Sequence, residues 1–213
     1  SFVIIGLFAR GQVGMSYPRR NLLDWRLGRA IAHPVTLEIV KATSAGLFLI
    51  YLFAGICGTE NPSTNLVPTM TWGIFWVGVA YMSALIGNVW ALINPLKVIY
   101  TYAESVVYKL TGKDLSRYEP YPEHLGAWPS VALFLAFAWV EIVYTRSGVP
   151  ANIVILALTY TAITFGGMWW FGRDQWLRSG EAFTLVLGFF AAFAPTEIRV
   201  RGADVNGDLV NDY

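Results

Sequence analysis

Four long apolar segments constrain this chain more than any other feature of its sequence. They cover residues 35–57, 67–93, 127–144 and 149–171. The hydrocarbon core of a bilayer is about 30 Å thick, and a helix needs roughly 20 mostly apolar residues to cross it. The segments 67–93 and 149–171 carry no charged side chain. The pattern predicts an all-α fold, a polytopic bundle of transmembrane helices.

The composition agrees with a membrane setting and excludes several other classes of protein. Charged residues make up 14% of the 213 residues and apolar residues 55%, against about 25% and about 45–50% in ordinary soluble domains. Fifteen basic and fourteen acidic side chains give a net charge of +1. A disordered chain, a nucleic-acid-binding protein and a typical cytosolic enzyme are therefore not expected.

Shorter segments complete the predicted organisation, a single transmembrane domain over residues 1–195. Residues 1–9 are apolar but too short to cross a bilayer, and we interpret them as a partial N-terminal span. Residues 97–110 have one apolar and one polar face, which predicts an interfacial amphipathic helix. Residues 181–194 predict a second interfacial or re-entrant helix, with a span cut short as the alternative. The polar tail, residues 196–213, is interpreted as incomplete.

Basic residues in the connections predict the orientation of the spans. The loop 10–34 holds five Arg or Lys residues, the loop 58–66 none and the loop 94–126 four. The connections 145–148 and 172–180 hold one and two. Since basic residues are enriched in cytoplasmic loops, this alternation places the Arg-rich loop 10–34 and the loop 94–126 in the cytoplasm.

Small side chains form a stripe along the second apolar segment. Lipid provides no hydrophobic drive between helices, so small residues mark places where two backbones approach closely. The stripe predicts a face that packs against another helix, either of this chain or of a partner subunit. It consists of residues at helical spacings, with one amide beside them: Ala80, Ser83, Ala84, Gly87, Ala91 and Asn88.

Three charged side chains lie within predicted spans, Glu38 and Lys41 near the start of the first and Glu141 near the end of the third, and Glu141 is the intramembrane polar candidate of the sequence. A charge at the centre of a bilayer costs about 2.5–3.5 kcal/mol on insertion scales, so such a residue is a functional candidate. Glu141 precedes Tyr144 by three residues and Arg146 by five. Anchoring at the outer interface or pairing with Arg146 is the simpler interpretation, and an ion or proton site is the alternative.

Residues for catalysis or metal binding are sparse. The two histidines, His33 and His124, lie in separate connections, whereas metal-dependent hydrolysis needs several His and carboxylate ligands around an activated water. No Ser nucleophile motif or phosphate-binding loop is present in the sequence. We therefore predict no catalytic residues, no metal site and no cofactor, with bound membrane lipid expected.

Three runs of sequence carry a resemblance to a known family. They are NPSTNLVPTMTWGIFWVGVAYMSALIGNVWALINPLK (residues 61–97), HLGAWPSVALFLAFAWVEIV (124–143) and GEAFTLVLGFF (180–190). The chain resembles an uncharacterised family of multi-spanning bacterial membrane proteins, some of which are automatically labelled fenitrothion hydrolase. The resemblance implies a bacterial inner membrane and family members that are longer, with further spans.

The sequence leads to three hypotheses about function. Abundant packing surface favours a non-catalytic accessory or assembly subunit that packs against other transmembrane subunits of a larger bacterial membrane complex. A solute transporter, or part of one, is the first alternative, drawing on Asn88, the Asn94-Pro95 helix break and Glu141. A membrane-embedded hydrolase, which the family label suggests, is the second alternative.

Overall fold

The computed structural model describes residues 26–194, 200–203 and 209–212. The predicted partial span at residues 1–9, much of the loop 10–34 and parts of the tail lie outside the described residues. The chain divides into two units, Ser1–Leu37 and Glu38–Tyr213. In the first unit α1 covers Arg26–Ile31, and the Thr36 hydroxyl donates to the Ala30 carbonyl at 2.9 Å.

Among the described residues, four helices are long and apolar enough to cross a membrane, which confirms the predicted all-α transmembrane class. They span Pro34–Cys57, Leu66–Ile86, Glu123–Ile142 and Pro150–Phe171. We name them α2 (Pro34–Cys57), α3 (Leu66–Ile86), α6 (Trp128–Ile142, after a 3₁₀ turn at Glu123–Leu125) and α7 (Pro150–Phe171). Large side chains on these helices remain exposed, Phe53 by 67% and Ile142 by 80%, and lipid rather than water suits such a surface.

The second span differs from the prediction of one helix over residues 67–93. Helix α3 begins with one α-helical turn, continues as a π-helix over Thr69–Val79 and ends as an α-helix at Ile86. The helix is interrupted there, and the short helix α4 covers Trp90–Ile93. Gly87 has a φ angle of +133°, which glycine adopts without the steric cost that a Cβ imposes. The Asn88 side chain accepts the N–H of Ala91 at 3.1 Å, so turn chemistry outweighs the apolar composition of this segment.

Helix α5 covers Pro95–Thr111 and contains the predicted segment 97–110. The Asn94 side chain caps its first turn by accepting the N–H groups of Leu96 and Lys97 at 3.0 and 3.2 Å. Proline at the first helical position loses no helical hydrogen bond. The Asn-Pro pair therefore starts a helix here as well as ending the one before it. The Tyr102 hydroxyl donates to Glu38 at 3.2 Å.

Two helices follow α7, one of which the sequence analysis did not predict. Helix α8 covers Arg173–Ser179, and helix α9 covers Ala182–Ala191 within the predicted segment 181–194. Helix α9 packs against the Ala80–Ile86 part of α3 and against α4 and α6. Its residues Ala182, Phe183 and Leu187 are buried. Helix α9 therefore packs among other helices, and its re-entrant or interfacial placement in the membrane stays a prediction.

The tail contains an antiparallel pair of strands, which the prediction of a polar tail over residues 196–213 did not include. Strand β1 covers Val200–Ala203 and strand β2 covers Leu209–Asp212. Val200 lies opposite Asp212 and Ala203 lies opposite Leu209. Within the described residues, the regular secondary structure is therefore helical except for this pair of strands.

Polar contacts join α5 to α8, and the loop after α5 to α7. The Arg173 guanidinium binds Glu104 at 2.7 Å and Asp174 at 3.0 Å. Burial favours the protonated form of Asp174, but the hydrogen bond and the charge of Arg173 outweigh it and hold the pKa of Asp174 below its usual value.

Arg117 lies over the rings of Trp169 and Trp170, 5.0 and 4.9 Å from their centroids, a cation–π arrangement.

Packing of α2 against α7 depends on a glycine. At Gly55 a Cβ atom would overlap the Val154 side chain and lie 3.2 Å from Val67. Ile153 and Tyr51 complete this buried cluster. A β-branched neighbour such as Val154 has little rotamer freedom to move away, so this position of α2 has room for glycine alone.

We expect Gly55→Ala to lower the free energy of unfolding by about 1–3 kcal/mol, because overpacking forces helices apart. The measurement is thermal unfolding in detergent, followed by tryptophan fluorescence. Gly46→Ala is the matched control on the same helix, since a Cβ there meets open space, and it should leave stability unchanged or slightly higher. Equal stability of the two variants would contradict this packing.

Candidate functional site

A buried carboxylate, Glu181, caps the N-terminus of α9. The residue is 0% exposed. Its side chain accepts the backbone N–H of Phe183 at 3.2 Å and that of Thr184 at 2.6 Å. The first N–H groups of a helix have no partner within the helix, and a buried helix end must find acceptors elsewhere. Glu181 supplies them from the residue just before the helix.

Three side chains also donate to the two oxygens of Glu181. The Tyr160 hydroxyl on α7 donates to Oε1, and the Thr184 hydroxyl donates to Oε2. The Trp90 indole N–H on α4 donates to Oε2 at 3.4 Å. The two backbone N–H groups and the indole can only donate, so five converging donors fit the ionised carboxylate, which accepts only. Glu181 thus joins α4, α7 and α9.

The groups that contact the carboxylate of Glu181 are neutral dipoles rather than cations. Among the described residues no Lys, Arg or His side chain forms an ion pair with it. The N-terminus of α9 and the surrounding hydrogen-bond donors supply partial positive charge instead. The electric field of the buried carboxylate extends into its surroundings, because an apolar environment screens a charge weakly.

Aromatic rings surround Phe183, two residues after Glu181. The ring centroids of Phe75 and Phe137 lie 4.7 and 5.0 Å from that of Phe183. Those of Tyr160 and Trp90 lie at 5.3 and 6.3 Å. Edge-to-face and tilted pairs at such distances add attraction beyond the burial of area. We call these five residues the aromatic cluster; it brings together α3, α4, α6, α7 and α9.

An apolar cavity of about 580 Å³ lies between the spanning helices and reaches the aromatic cluster. All five of its residues line the cavity. The lining also includes Ile39 and Ile74, which are 60% and 54% exposed. The cavity therefore runs from the lipid-facing surface to the buried core. Its volume lies in the range of sites for small organic ligands, about 300–1,000 Å³.

Further polar side chains line the cavity. The Thr71 hydroxyl bonds to the Tyr51 hydroxyl at 3.1 Å and donates to the Val67 carbonyl at 2.9 Å. Ser44 donates to the Ile93 carbonyl. These groups satisfy one another or the backbone, so the wall remains mostly apolar with a few oriented dipoles, the arrangement typical of binding sites for small molecules.

The stripe of small residues does not form one continuous helical face. Ala80, Ser83 and Ala84 lie on α3, whereas Gly87 and Asn88 lie in the break and Ala91 lies on α4. Ser83 is 0% exposed, and this part of α3 packs against α9. A Cβ built at Gly188 of α9 would lie 3.8 Å from the Asn88 amide nitrogen. The helix that meets this face thus belongs to the same chain.

Glu141 lies in the last turn of α6 and is half-buried. It does not line the cavity. Within the described residues, no ion pair joins it to Arg146. In the part of the chain that the structure describes, no hydrogen bond or ion pair joins Glu141 to Glu181 or Asn88.

Sequence reasoning missed Glu181, the side chain around which the site is built. Glu181 directly precedes an apolar run, and a charged residue in this position is typical of the solvated start of an interfacial helix. The signal that was available is its position directly before the helix, the N-cap position. Its burial depends on Tyr160 and Trp90, which are 21 and 91 residues away in sequence.

We expect Glu181→Ala to destabilise the protein by about 2–4 kcal/mol, because it removes a helix cap and leaves buried donors without an acceptor. Unfolding in mixed micelles, followed by tryptophan fluorescence, measures the loss. Glu141→Ala removes the same side chain outside the site and should change stability by less than about 0.5 kcal/mol. An equal loss of stability in both variants would contradict the role of Glu181 as a buried helix cap.

No family model, curated protein or solved structure matches the chain.

Proposed function

We propose that the protein is a non-catalytic subunit of the bacterial inner membrane that binds an apolar small molecule or lipid between its spanning helices. The observation that carries this proposal is the cavity of about 580 Å³, which leads from the lipid-facing surface to the aromatic cluster. A concave, mostly apolar site with a few oriented polar groups suits a ligand that arrives through the bilayer.

A binding role suits the chemistry of Glu181 better than catalysis does. A general base must reach the proton that it removes. The oxygens of Glu181 already accept five hydrogen bonds, from Tyr160, Trp90, Phe183 and two groups of Thr184. The carboxylate therefore orders the wall of the cavity and leaves no lone pair directed at a substrate. The hydrolase hypothesis gains no support from this arrangement.

The proposal keeps the predicted setting, an accessory role beside other transmembrane subunits with the loop 94–126 in the cytoplasm. Arg117 of this loop lies over Trp169 and Trp170 at the end of α7. Basic and tryptophan side chains together are typical of a membrane interface, and the basic count of the loop supports the cytoplasmic side. Recovery of the native protein from mild detergent as a lone monomer would contradict the accessory role.

Filling the cavity tests ligand binding. Ala157 lines the cavity on α7 and Ala162 on the same helix does not, so we compare Ala157→Phe with Ala162→Phe. After purification in mild detergent, molecules retained by the protein are extracted and quantified by mass spectrometry. We expect about one apolar molecule per wild-type chain, an unchanged amount with Ala162→Phe and a loss of at least about fivefold with Ala157→Phe, since the added ring takes the space of the ligand. Equal retention by both variants would contradict the proposal.

Solute transport is the second candidate function. The second span is interrupted at residues 87–89, and α9 begins at the buried Glu181 beside that interruption. Broken helices whose ends point into a bundle form the substrate sites of many transporters. Counterflow of a bound ligand in vesicles, reduced at least about tenfold by Glu181→Gln and unchanged by Glu141→Gln, would favour transport. Binding without counterflow would limit the protein to the accessory role.

A further inference from the structure

We infer that the cavity selects lipophilic cations, molecules with an apolar body and a permanent or protonated positive centre such as an amine, ammonium or phosphonium. This inference rests on the proposed binding function and adds the chemical class of the ligand. It depends on two features of the site, the buried carboxylate behind the cavity wall and the aromatic cluster in it.

The first feature is a fixed negative charge close to the cavity. Glu181 is fully buried and is held by five neutral donors, with no ion pair to a basic side chain among the described residues. Trp90 and Tyr160 both donate to it and both line the cavity. The charge therefore lies one side chain behind the wall, where weak screening favours a positive centre in the cavity and disfavours a negative one.

The second feature is the aromatic cluster itself. Phe75, Phe137 and Phe183 line the cavity next to Trp90 and Tyr160. The faces of aromatic rings carry partial negative charge and attract cations, most strongly where water is excluded. Aromatic cages use this attraction to bind quaternary ammonium groups. The Tyr160 hydroxyl gives its single proton to Glu181, so its oxygen can only accept and adds to the same preference.

The two features act on different classes of ligand in different ways. A neutral apolar molecule gains only the burial of its apolar surface. Any apolar part of the cavity wall offers that gain, with or without the carboxylate and the rings. An anion such as a carboxylate or phosphate meets the like charge of Glu181. A lipophilic cation gains burial, attraction to the rings and attraction to the carboxylate, so charge rather than shape separates the three classes.

Three probes of nearly the same shape test the inference: tetraphenylphosphonium, tetraphenylmethane and tetraphenylborate, which are cationic, neutral and anionic. Binding to the full chain in detergent is followed by quenching of tryptophan fluorescence. Ala157→Phe in the same micelles corrects for partition of each probe into detergent. We expect the wild-type chain to bind the phosphonium at least about tenfold more tightly than either other probe, a difference of about 1.4 kcal/mol.

Glu181→Gln separates charge from shape. Glutamine retains a side-chain oxygen that accepts from the first turn of α9, but it carries no charge. We expect this variant to bind the phosphonium within about threefold of the neutral probe. Equal affinity of the wild-type chain for all three probes, or undiminished discrimination by Glu181→Gln, would overturn the inference.

The outcomes distinguish this inference from the proposed function. Saturable binding of the neutral probe with no preference for the cation would keep the proposed function and remove the charge selection. Absence of saturable binding of every probe to the wild-type chain would contradict both. Should Glu181→Gln not fold, the comparison of the three probes on the wild-type chain decides the question by itself.

Discussion

Apolar surroundings give a backbone N–H group no partner to bind, and this constraint decides where helices in this chain begin. Helix α9 starts among other helices, and Glu181 supplies acceptors for the N–H groups of its first turn. Helix α5 starts in the same way at Asn94, and helix α7 starts with Pro150, which has no N–H to satisfy. Helices α5, α7 and α9 thus each begin at a residue that removes the cost of an open helix end.

The break in the second span and the insertion of α9 depend on each other. Helix α3 ends at Ile86, and the chain continues as α4 in place of a longer rod. Trp90 on α4 then reaches Glu181, and Phe183 and Leu187 on α9 enter the same buried cluster as Val79. An unbroken helix over residues 67–93 would carry Trp90 along the axis of α3 instead. The contacts of α9 therefore stabilise the break, and the break positions one of the donors that hold α9.

Sequence reasoning succeeded where composition alone determines structure. The spans predicted at 35–57 and 149–171 agree with Pro34–Cys57 and Pro150–Phe171, because long apolar runs bounded by proline leave little alternative. It failed at Gly87, where the predicted helix over residues 67–93 is interrupted. Mean hydropathy over a long segment does not detect a single glycine, here with a φ angle of +133°, at which a helix ends. It also failed at Glu181, since burial of a carboxylate depends on distant partners and a local pattern shows only the charge. The π-helix of Thr69–Val79 alters which side chains share a face, and a 3.6-residue period does not anticipate it.

Capping accounts for the hydrogen bonds of Glu181 but not for its charge. A serine or asparagine at the N-cap satisfies the first turn of a helix without placing an anion in an apolar core, and burial of an anion is costly. The carboxylate differs from those residues by its reach to Tyr160 and Trp90, both of which line the cavity. The same contacts that offset its burial therefore fix the aromatic wall in place and set a negative field behind it. The contacts of Glu181 with Tyr160 and Trp90 therefore both offset the cost of burying the charge and give the cavity its preference for cations.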